Sequence, residues 1–456
     1  MSDIRGPVHL VGIGGMHMSA IGQLLLERGI AVTGSDLRPS SLTARLESLG
    51  ARVYAGHSAA NLGSPALVVT TAAAGDDNPE IAAARERGIP VILRAEMVAR
   101  LMEGKRVIAV AGSHGKTTTS SLVAFILSEA GLKPMYLLGG ESIDLNGNAA
   151  SGEGDLCVVE ADEYRRAFHE YTPDLAVITN VEPDHLDYYG TPEAYHQAFV
   201  EFARKPKPGG LLLACGDDPG AMRVVHEAGN GGITVETYGF DPRESWCAGN
   251  PHLGVGETTF EVLRQGKLLG QLQLRQPGRH FIANALAATA ACIHLGVGFG
   301  DIRPAVHAFR GAHRRFEFVG EEGGVVVMDD YAHHPTEVRA TLQAARARFG
   351  GRRIIGVYQP HTYSRISYLW DEWTRCWSDL DALIVLETYA ARETPVAGRS
   401  ASDLARAIRE PAASYAPGFD EAARMAADLA RPGDVVFTIG AGDVLEVGPR
   451  ILELLR

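Results

Sequence analysis

The residues best suited to chemistry lie in a glycine-containing segment near residue 110. The run Arg106–Ala111 predicts a buried strand, residues 112–115 predict a tight turn, and Lys116 begins a predicted helix. Such a turn directs backbone N–H groups, a helix N-terminus and one ammonium group at a single point, which suits a nucleotide phosphate. Thr117 adds a hydroxyl for the accompanying magnesium ion. The spacing is the shorter form of the phosphate loop, because Val110 occupies the outer glycine position.

Two clusters of acidic residues follow the next two predicted strands. The first is 160–163 and the second is 180–187, which contains His185. Because the carboxyl ends of parallel strands meet at one edge of a sheet, both clusters are expected beside the phosphate loop. Carboxylate oxygens with one imidazole suit Mg²⁺ or Mn²⁺. A single acidic residue there is more often a helix cap, but two clusters together favour a metal site.

Three later segments also carry candidate binding groups. His280 and Asn284 are four residues apart in a predicted helix, so they share one face. They either bind the edge of an adenine base or have a structural role in the protein core. Polar residues crowd 329–337 and 359–365, each after an apolar run, which predicts a small-ligand pocket rather than surface loops. Within them, His333 is suited to proton transfer and Arg365 to clamping a carboxylate.

These groups require three α/β segments to position them, and we predict domains at 1–103, 104–311 and 312–456. The first is Rossmann-like, with a glycine turn and Asp36 about 20 residues further on, where a ribose-binding carboxylate lies. The second is a parallel sheet like that of phosphate-loop ATPases, with a possible antiparallel flap at 229–275. The third is a further Rossmann-like unit. A nicotinamide-dependent oxidoreductase is weakly indicated, because His17 replaces the third glycine of the dinucleotide pattern.

Composition narrows the class of protein. The net charge of −12 over 456 residues argues against a nucleic-acid or anionic membrane surface. Five cysteines without a C-x-x-C spacing indicate reduced thiols and a cytoplasmic location. Residues 1–5 lead directly into the first strand without a leader pattern, and no run is long enough to span a bilayer.

Taken together and in order, the motifs resemble those of the Mur ligase family. The matching pieces are 11–15, 34–36, 112–118, 160–163, 180–187, 278–284, 314–317, 329–337, 359–365 and 440–443. The resemblance implies a ligase that uses ATP and Mg²⁺ or Mn²⁺ to activate the lactyl carboxylate of UDP-N-acetylmuramic acid as an acyl phosphate. The amine of L-alanine then attacks, and phosphate leaves. A monomer and a homodimer are both compatible with it.

The resemblance also implies roles for individual residues. Lys116, Glu160, His185 and His333 would be catalytic, and Thr117, Glu160 and His185 would hold metal. ATP would contact Gly112, Ser113, His114, Gly115, Lys116, Thr117, Thr118, His280, Asn284 and Arg315. The UDP-sugar would contact Gly14, Gly15, Asp36 and Thr71, and the amino acid would contact Tyr331, His333 and Arg365.

The chain departs from the family pattern at four positions. They are His17 for glycine, Arg165 where an acid is common, Phe281 for asparagine, and Thr362 where some members carry a second arginine. The carbamylated lysine of ligases for later steps has no counterpart, since no lysine lies between Lys133 and Lys205.

Two further alternatives remain open from sequence. One is a related ligase that adds a murein tripeptide during cell-wall recycling; the 359–365 segment favours the alanine-adding reaction over it. The other is a phosphate-loop switch protein without ligase activity, which leaves the second acidic cluster and the third segment without a role.

Overall fold

The computed structural model describes residues 6–71, 74–229, 231–391 and 393–456. Residues 1–5, on which the leader prediction depends in part, lie outside this range. The chain divides into two compact units. The first comprises Met1–Cys247, Leu263–Lys267 and Asn284–Val306, and the second comprises Ala248–Val262, Leu268–Ala283 and His307–Arg456.

The N-terminal sheet has five strands in the order β3-β2-β1-β4-β5, and all neighbours are parallel. Its strands are β1 Val8–Val11, β2 Val32–Asp36, β3 Arg52–Ala55, β4 Leu67–Thr70 and β5 Val91–Leu93. Its helices are α1 Met16–Glu27, α2 Ser41–Ser48, α3 Pro79–Glu86 and α4 Arg94–Leu101. Alternating strands and helices around fully buried β1 and β4 give the predicted Rossmann-like arrangement.

The central sheet has ten strands in the order β15-β14-β13-β12-β11-β10-β6-β9-β7-β8. The strands are β6 Arg106–Ala111, β7 Met135–Ser142, β8 Gly147–Ala150, β9 Leu156–Glu160, β10 Leu175–Ile178, β11 Leu211–Cys215, β12 Thr234–Gly239, β13 Trp246–Leu253, β14 Thr258–Arg264 and β15 Lys267–Leu274. The helices are α5 Lys116–Glu129, α6 Leu186–Tyr189, α7 Pro192–Ala203, α8 Pro219–Ala228, α9 Arg279–His294 and α10 Phe299–Ala308. The strands β9 and β10 flank β6 in parallel, so both acidic clusters emerge beside the phosphate loop.

One strand of the stretch predicted as a possible antiparallel flap, β12, belongs to the parallel part of the central sheet. The strand β12 pairs in parallel with both β11 and β13. Its overlap with β13 is limited to Tyr238 and Gly239 opposite Trp246 and Cys247. Trp246 is fully buried, so the apolar end of β13 extends the main sheet instead of forming a separate flap.

The C-terminal sheet has six strands in the order β16-β17-β21-β18-β19-β20, with β16 antiparallel to β17 and the other neighbours parallel. Its strands are β16 Glu317–Glu322, β17 Val325–Asp330, β18 Ile354–Tyr358, β19 Ala382–Leu386, β20 Ala413–Ala416 and β21 Val435–Ile439. Its helices are α11 Pro335–Phe349, α12 Tyr363–Tyr368, α13 Trp370–Trp373, α14 Ala401–Ala407, α15 Phe419–Leu429 and α16 Val447–Leu455. The central strands β17, β18 and β21 are buried along their whole length, as expected for a parallel sheet covered on both faces.

All five cysteines are buried and carry free thiols. None of the helices in the described part of the chain combines the length and the apolar character that a membrane-spanning segment needs.

Candidate active site

The phosphate loop contains two positions that only glycine fits. Gly112 has φ 142°, and a β-carbon there would lie 1.9 Å from Oγ1 of Thr179. Gly115 has φ 79° at the start of α5, and its β-carbon would lie 2.7 Å from Oδ1 of Asn284. The predicted strand, turn and helix are therefore present, and Asn284 packs directly against the turn.

Side chains after β10 hold the loop from behind. Asn180 accepts a hydrogen bond from the N–H of His114 (2.8 Å) and donates one to its carbonyl (3.1 Å). Thr179 Oγ1 donates to the same carbonyl (2.5 Å). Ser113 Oγ donates to the Glu182 carbonyl (2.7 Å). Helix α5 has no side-chain N-cap, so its first N–H groups remain for a ligand.

Sequence reasoning did not single out Asn180 as a site residue. The available signal was a polar residue directly after the strand that neighbours β6, inside a motif already noted. Its amide satisfies both backbone groups of one loop residue, which is why an amide suits this place better than a carboxylate.

Lys116 lies inside the loop and is paired with an acid. Its Nζ is 2.9 Å from Oε2 of Glu163 and donates to the carbonyls of Gly112 (2.5 Å) and Ser113 (3.1 Å). Burial alone would lower the pKa of Lys116, but the carboxylates of Glu163 and Glu160 outweigh it and raise that pKa. The site therefore holds a protonated ammonium group.

Two of the predicted metal ligands lie close to the groups around Lys116: the charge of Glu160 acts on its ammonium, and His185 lies beside Glu163. Glu160 is buried at the end of β9, and its Oε2 accepts a hydrogen bond from the N–H of Gly139 (2.9 Å). A β-carbon on Gly139 would lie 2.3 Å from Oε1 of Glu160, so glycine is required for this approach. Nε2 of His185 lies 3.7 Å from Oε1 of Glu163. The donor set of carboxylates, an imidazole and the Thr117 hydroxyl suits Mg²⁺.

The first glycine turn is closed by one hydrogen bond within its backbone and one to the side chain of Asp36. Gly14 N–H donates to Oδ2 of Asp36 (2.9 Å), and Gly15 N–H donates to the Gly12 carbonyl (3.1 Å). Thr71 lies against this turn, since its methyl is 3.1 Å from where a β-carbon of Gly12 would be. Helix α1 follows without a side-chain N-cap. The N–H groups at the start of α1, more than those of the two glycines, are left to face an anion.

His17 occupies the third glycine position without disrupting the turn. Its Nε2 is buried and has no hydrogen-bond partner among the described residues. Burial, assisted by the positive charge of Arg94, lowers the pKa of His17 to about 3, so the ring is neutral near pH 7. Arg94 itself is paired with Asp162 at 2.6 Å.

In the second compact unit, the predicted residues form one continuous chain of contacts. The guanidinium of Arg315 lies 4.9 Å from the Tyr331 ring centroid, and Tyr331 and His333 have ring centroids 5.3 Å apart. His361 follows at 6.1 Å from His333. Arg365 Nη1 lies 3.1 Å from Nδ1 of His361. His361 lies in the polar segment 359–365, whose sequence pattern indicated no role for this residue.

Glu337 contacts both Arg315 and the backbone of His333, two members of this chain of contacts. Its Oε2 accepts hydrogen bonds from the N–H groups of His333 (2.9 Å) and His334 (3.3 Å), and its Oε1 lies 3.8 Å from Arg315. Burial lowers the pKa of His280 to about 4, against the opposing charge of Glu337. The signal for Glu337 was its place three residues after the helix N-cap, where an acid closes a capping box.

The residues predicted for ATP therefore fall in both compact units. His280 and Arg315 belong to the second unit, and the phosphate loop and Asn284 belong to the first.

Three protein-family models match consecutive parts of this chain. "Mur ligase family, catalytic domain" matches residues 7–106, "Mur ligase middle domain" matches 110–292, and "Mur ligase, glutamate ligase domain" matches 314–442. Together they follow the three sheets in chain order. The chain belongs to the Mur ligase family.

Relatives of known name match over almost the full length. The UDP-N-acetylmuramate–L-alanine ligase of Desulfotalea psychrophila is 42% identical over 98% of both chains. That of Kineococcus radiotolerans is 45% identical over 99% of this chain and 96% of its own. The crystal structure of the UDP-N-acetylmuramate-alanine ligase of Thermotoga maritima superposes with a TM-score of 0.83 at 29% identity, covering 98% of this chain and 99% of the other.

Proposed function

We infer that this protein joins L-alanine to the lactyl carboxylate of UDP-N-acetylmuramic acid at the expense of ATP, a step of peptidoglycan precursor synthesis. The observation that carries this is the match of 42–45% identity to relatives of that name along nearly the whole chain. A match of that extent includes the phosphate loop, both acidic clusters and the polar strand ends of the third sheet.

ATP dependence is common to the family, and a MurF ligase of Thermotoga maritima with the same fold was crystallised with ADP. Thr117, Glu160 and His185 are our candidates for holding Mg²⁺, or Mn²⁺, which would neutralise phosphate charge when bound. Because phosphoryl transfer depends mainly on positioning and charge, the ammonium of Lys116 would bridge the β- and γ-phosphates. To do so it must leave Glu163, with which it pairs at 2.9 Å.

The groups of the second unit complete the proposal. A neutral His280 can donate or accept one hydrogen bond at the adenine edge, as can the amide of Asn284 from the first unit. Arg315 would contact the phosphates. Tyr331, His333 and Arg365 would place L-alanine, with the fork of Arg365 on its carboxylate. In the first unit, Gly14, Gly15, Asp36 and Thr71 would shape the UDP-sugar site.

The comparisons weigh against the alternatives drawn from sequence. A murein peptide ligase of Psychrobacter arcticus has the same fold, with a TM-score of 0.73 at 24% identity, whereas the relatives at 42–45% identity over nearly the whole chain are alanine ligases. Membership of a ligase family across all three sheets leaves neither an oxidoreductase nor a switch protein as the explanation of the chain. Use of ATP and of a nucleotide sugar, together with five free thiols, fits a cytoplasmic location.

The test is phosphate release from ATP and Mg²⁺ with UDP-N-acetylmuramic acid as acceptor. One arm adds L-alanine, one adds the tripeptide L-Ala-γ-D-Glu-diaminopimelate, and one adds neither. We expect release only with L-alanine, together with a product heavier by one alanyl residue. Release only with the tripeptide would move the function to recycling, and release with neither would overturn the proposal.

A further inference from the structure

A cavity in the first compact unit includes an arginine that the proposed mechanism does not use. The cavity has a volume of about 360 Å³ and is lined by Thr70 and Thr71 after β4, by Leu93 at the end of β5, and by Arg85 and Arg165. Arg165 lies in the turn that follows β9 of the central sheet, two residues after the acid that pairs with Lys116.

The two arginines of the cavity differ in their partners. Arg85 pairs with Asp76 at 2.8 Å, so its charge is neutralised within the protein. Arg165 is exposed and has no ion pair with any residue that the structure describes; its guanidinium lies 5.8 Å from the Tyr164 ring centroid. A cavity with one uncompensated cation is suited to an anionic ligand.

The backbone around Arg165 is held in a costly conformation. Arg165 and Arg166 have φ values of 51° and 58°, and two consecutive non-glycine residues in the left-handed region are unusual. The turn is anchored on its far side: Arg166 pairs with Glu201 at 2.7 Å, and Phe168 is fully buried and stacked on Phe202. The fold therefore maintains this turn, with Arg165 on the cavity side, against its local preference.

The cavity adjoins the first glycine turn. Thr71 lines the cavity and also lies against Gly12, with its methyl 3.1 Å from the position of a β-carbon there. Helix α1 starts after this turn with Gly15 as an N-cap that offers no side-chain hydrogen bond. The cavity that Arg165 lines therefore borders, through Thr71, the turn from which the positive end of α1 starts.

We propose that Arg165 is a substrate-binding residue that contacts the diphosphate of the UDP-sugar at the edge of this cavity. The inference rests on the proposed function for the identity of the sugar nucleotide. Because the chain carries a net charge of −12, a local cation is needed to hold a doubly charged diphosphate. A guanidinium suits it better than an ammonium, since its parallel N–H groups match two phosphate oxygens.

The test compares Arg165→Gln and Arg165→Lys with the wild type, and uses Arg87→Gln, at an exposed arginine outside the cavity lining, as the control. Calorimetric titration measures binding of UDP-N-acetylmuramic acid and of UDP-N-acetylglucosamine, which keeps the diphosphate but lacks the lactyl carboxylate. We expect Arg165→Gln to weaken both ligands by about tenfold to a hundredfold. Arg165→Lys should recover part of the loss, and Arg87→Gln should change either affinity less than about threefold.

Kinetics supply a readout that a merely structural role would not move. Arg165→Gln should raise KM for the UDP-sugar by a similar factor, with kcat and KM for ATP unchanged. Loss of affinity for UDP-N-acetylmuramic acid alone would assign Arg165 to the lactyl carboxylate and overturn the diphosphate proposal. Unchanged affinity for both ligands, or no binding of UDP-N-acetylglucosamine by the wild type, would overturn it as well. A wild type that binds the UDP-sugar but gives no alanine-dependent turnover would refute the proposed function and leave this inference standing.

Discussion

The phosphate loop of the first compact unit and the Arg315–Arg365 cluster of the second are held in place in opposite ways. In the loop the groups offered to a ligand belong to the main chain: two glycines have positive φ values, the Asn180 side chain holds the carbonyl and N–H of His114, and the helix starts without a cap. Side chains fix the cluster, since Arg315, Tyr331, His333, His361 and Arg365 contact one another in sequence.

This difference determines how each region tolerates substitution. A loop that presents main-chain groups loses its geometry when a β-carbon is added to one of its glycines, and few of its side chains can be removed with an effect on the ligand. A cluster built from side chains can be weakened one contact at a time, and each change should affect one ligand more than the others. Four experiments separate these expectations.

The largest effect is expected at the ammonium group inside the loop. Lys116→Ala removes the only side-chain cation that the loop itself supplies to the phosphates, and we expect the rate of alanine-dependent phosphate release to fall by about 10³-fold. The exposed Lys267→Ala is the control and should retain full activity. A loss of less than about tenfold in Lys116→Ala would show that the loop works through backbone dipoles alone.

The second-largest effect is expected at Asp330, the residue directly before Tyr331 of the side-chain cluster. Burial raises the pKa of Asp330 to about 6 from its ordinary 3.8. Because the folded state then binds the proton more tightly than the unfolded state, Asp330 makes the free energy of unfolding fall as pH rises from about 4 to 6. The shift corresponds to about 3 kcal/mol.

Asp330→Asn removes this titration. The free energy of unfolding of the wild type minus that of Asp330→Asn should therefore decrease by about 3 kcal/mol between pH 4 and pH 7. Denaturant titrations at several pH values measure it, with the exposed Asp301→Asn as control. A difference that stays constant with pH would mean that Asp330 keeps an ordinary pKa.

The third experiment adds a single carbon to the loop. Gly112→Ala places a methyl group 1.9 Å from Oγ1 of Thr179, so the turn must open, and we expect activity to fall by about 10²-fold through loss of ATP binding. Gly131 lies just beyond the other end of α5, has φ 75° and has open space around its β-carbon position. Gly131→Ala should therefore cost only about 1 kcal/mol of stability and leave KM for ATP unchanged. Equal losses in the two variants would refute a specific role for the loop geometry.

The smallest effect is expected in the cluster. Arg365→Lys keeps the charge but replaces a two-pronged donor by a point charge, and we expect KM for L-alanine to rise about tenfold with KM for ATP unchanged. The nearby exposed Arg375→Lys serves as control. A parallel rise in both KM values would indicate that the cluster acts as one structural unit rather than as separate contacts.

The two regions also differ in how far sequence could predict them. The strand–turn–helix at 106–129 and the acidic strand ends beside it followed from spacing, because glycine and strand periodicity constrain the backbone directly. Asn180 and Glu337 were present in recognised motifs, but their roles depend on which backbone groups the fold leaves unsatisfied. The parallel pairing of β12 with β13 could not be predicted, since glycine-rich short strands carry no signal for their direction.

Glu163 gives the nucleotide site an internal competitor. It occupies the ammonium of Lys116 at 2.9 Å, where a phosphate oxygen of ATP is expected to bind, and does so as part of the same polypeptide. The free energy of ATP binding then contains the difference between two contacts of Lys116, the one gained with phosphate and the one lost with Glu163. A mutation that removes the Glu163 carboxylate would remove this competing anion. Nucleotides would then be expected to bind more tightly and, for the same reason, the nucleotide product to leave more slowly.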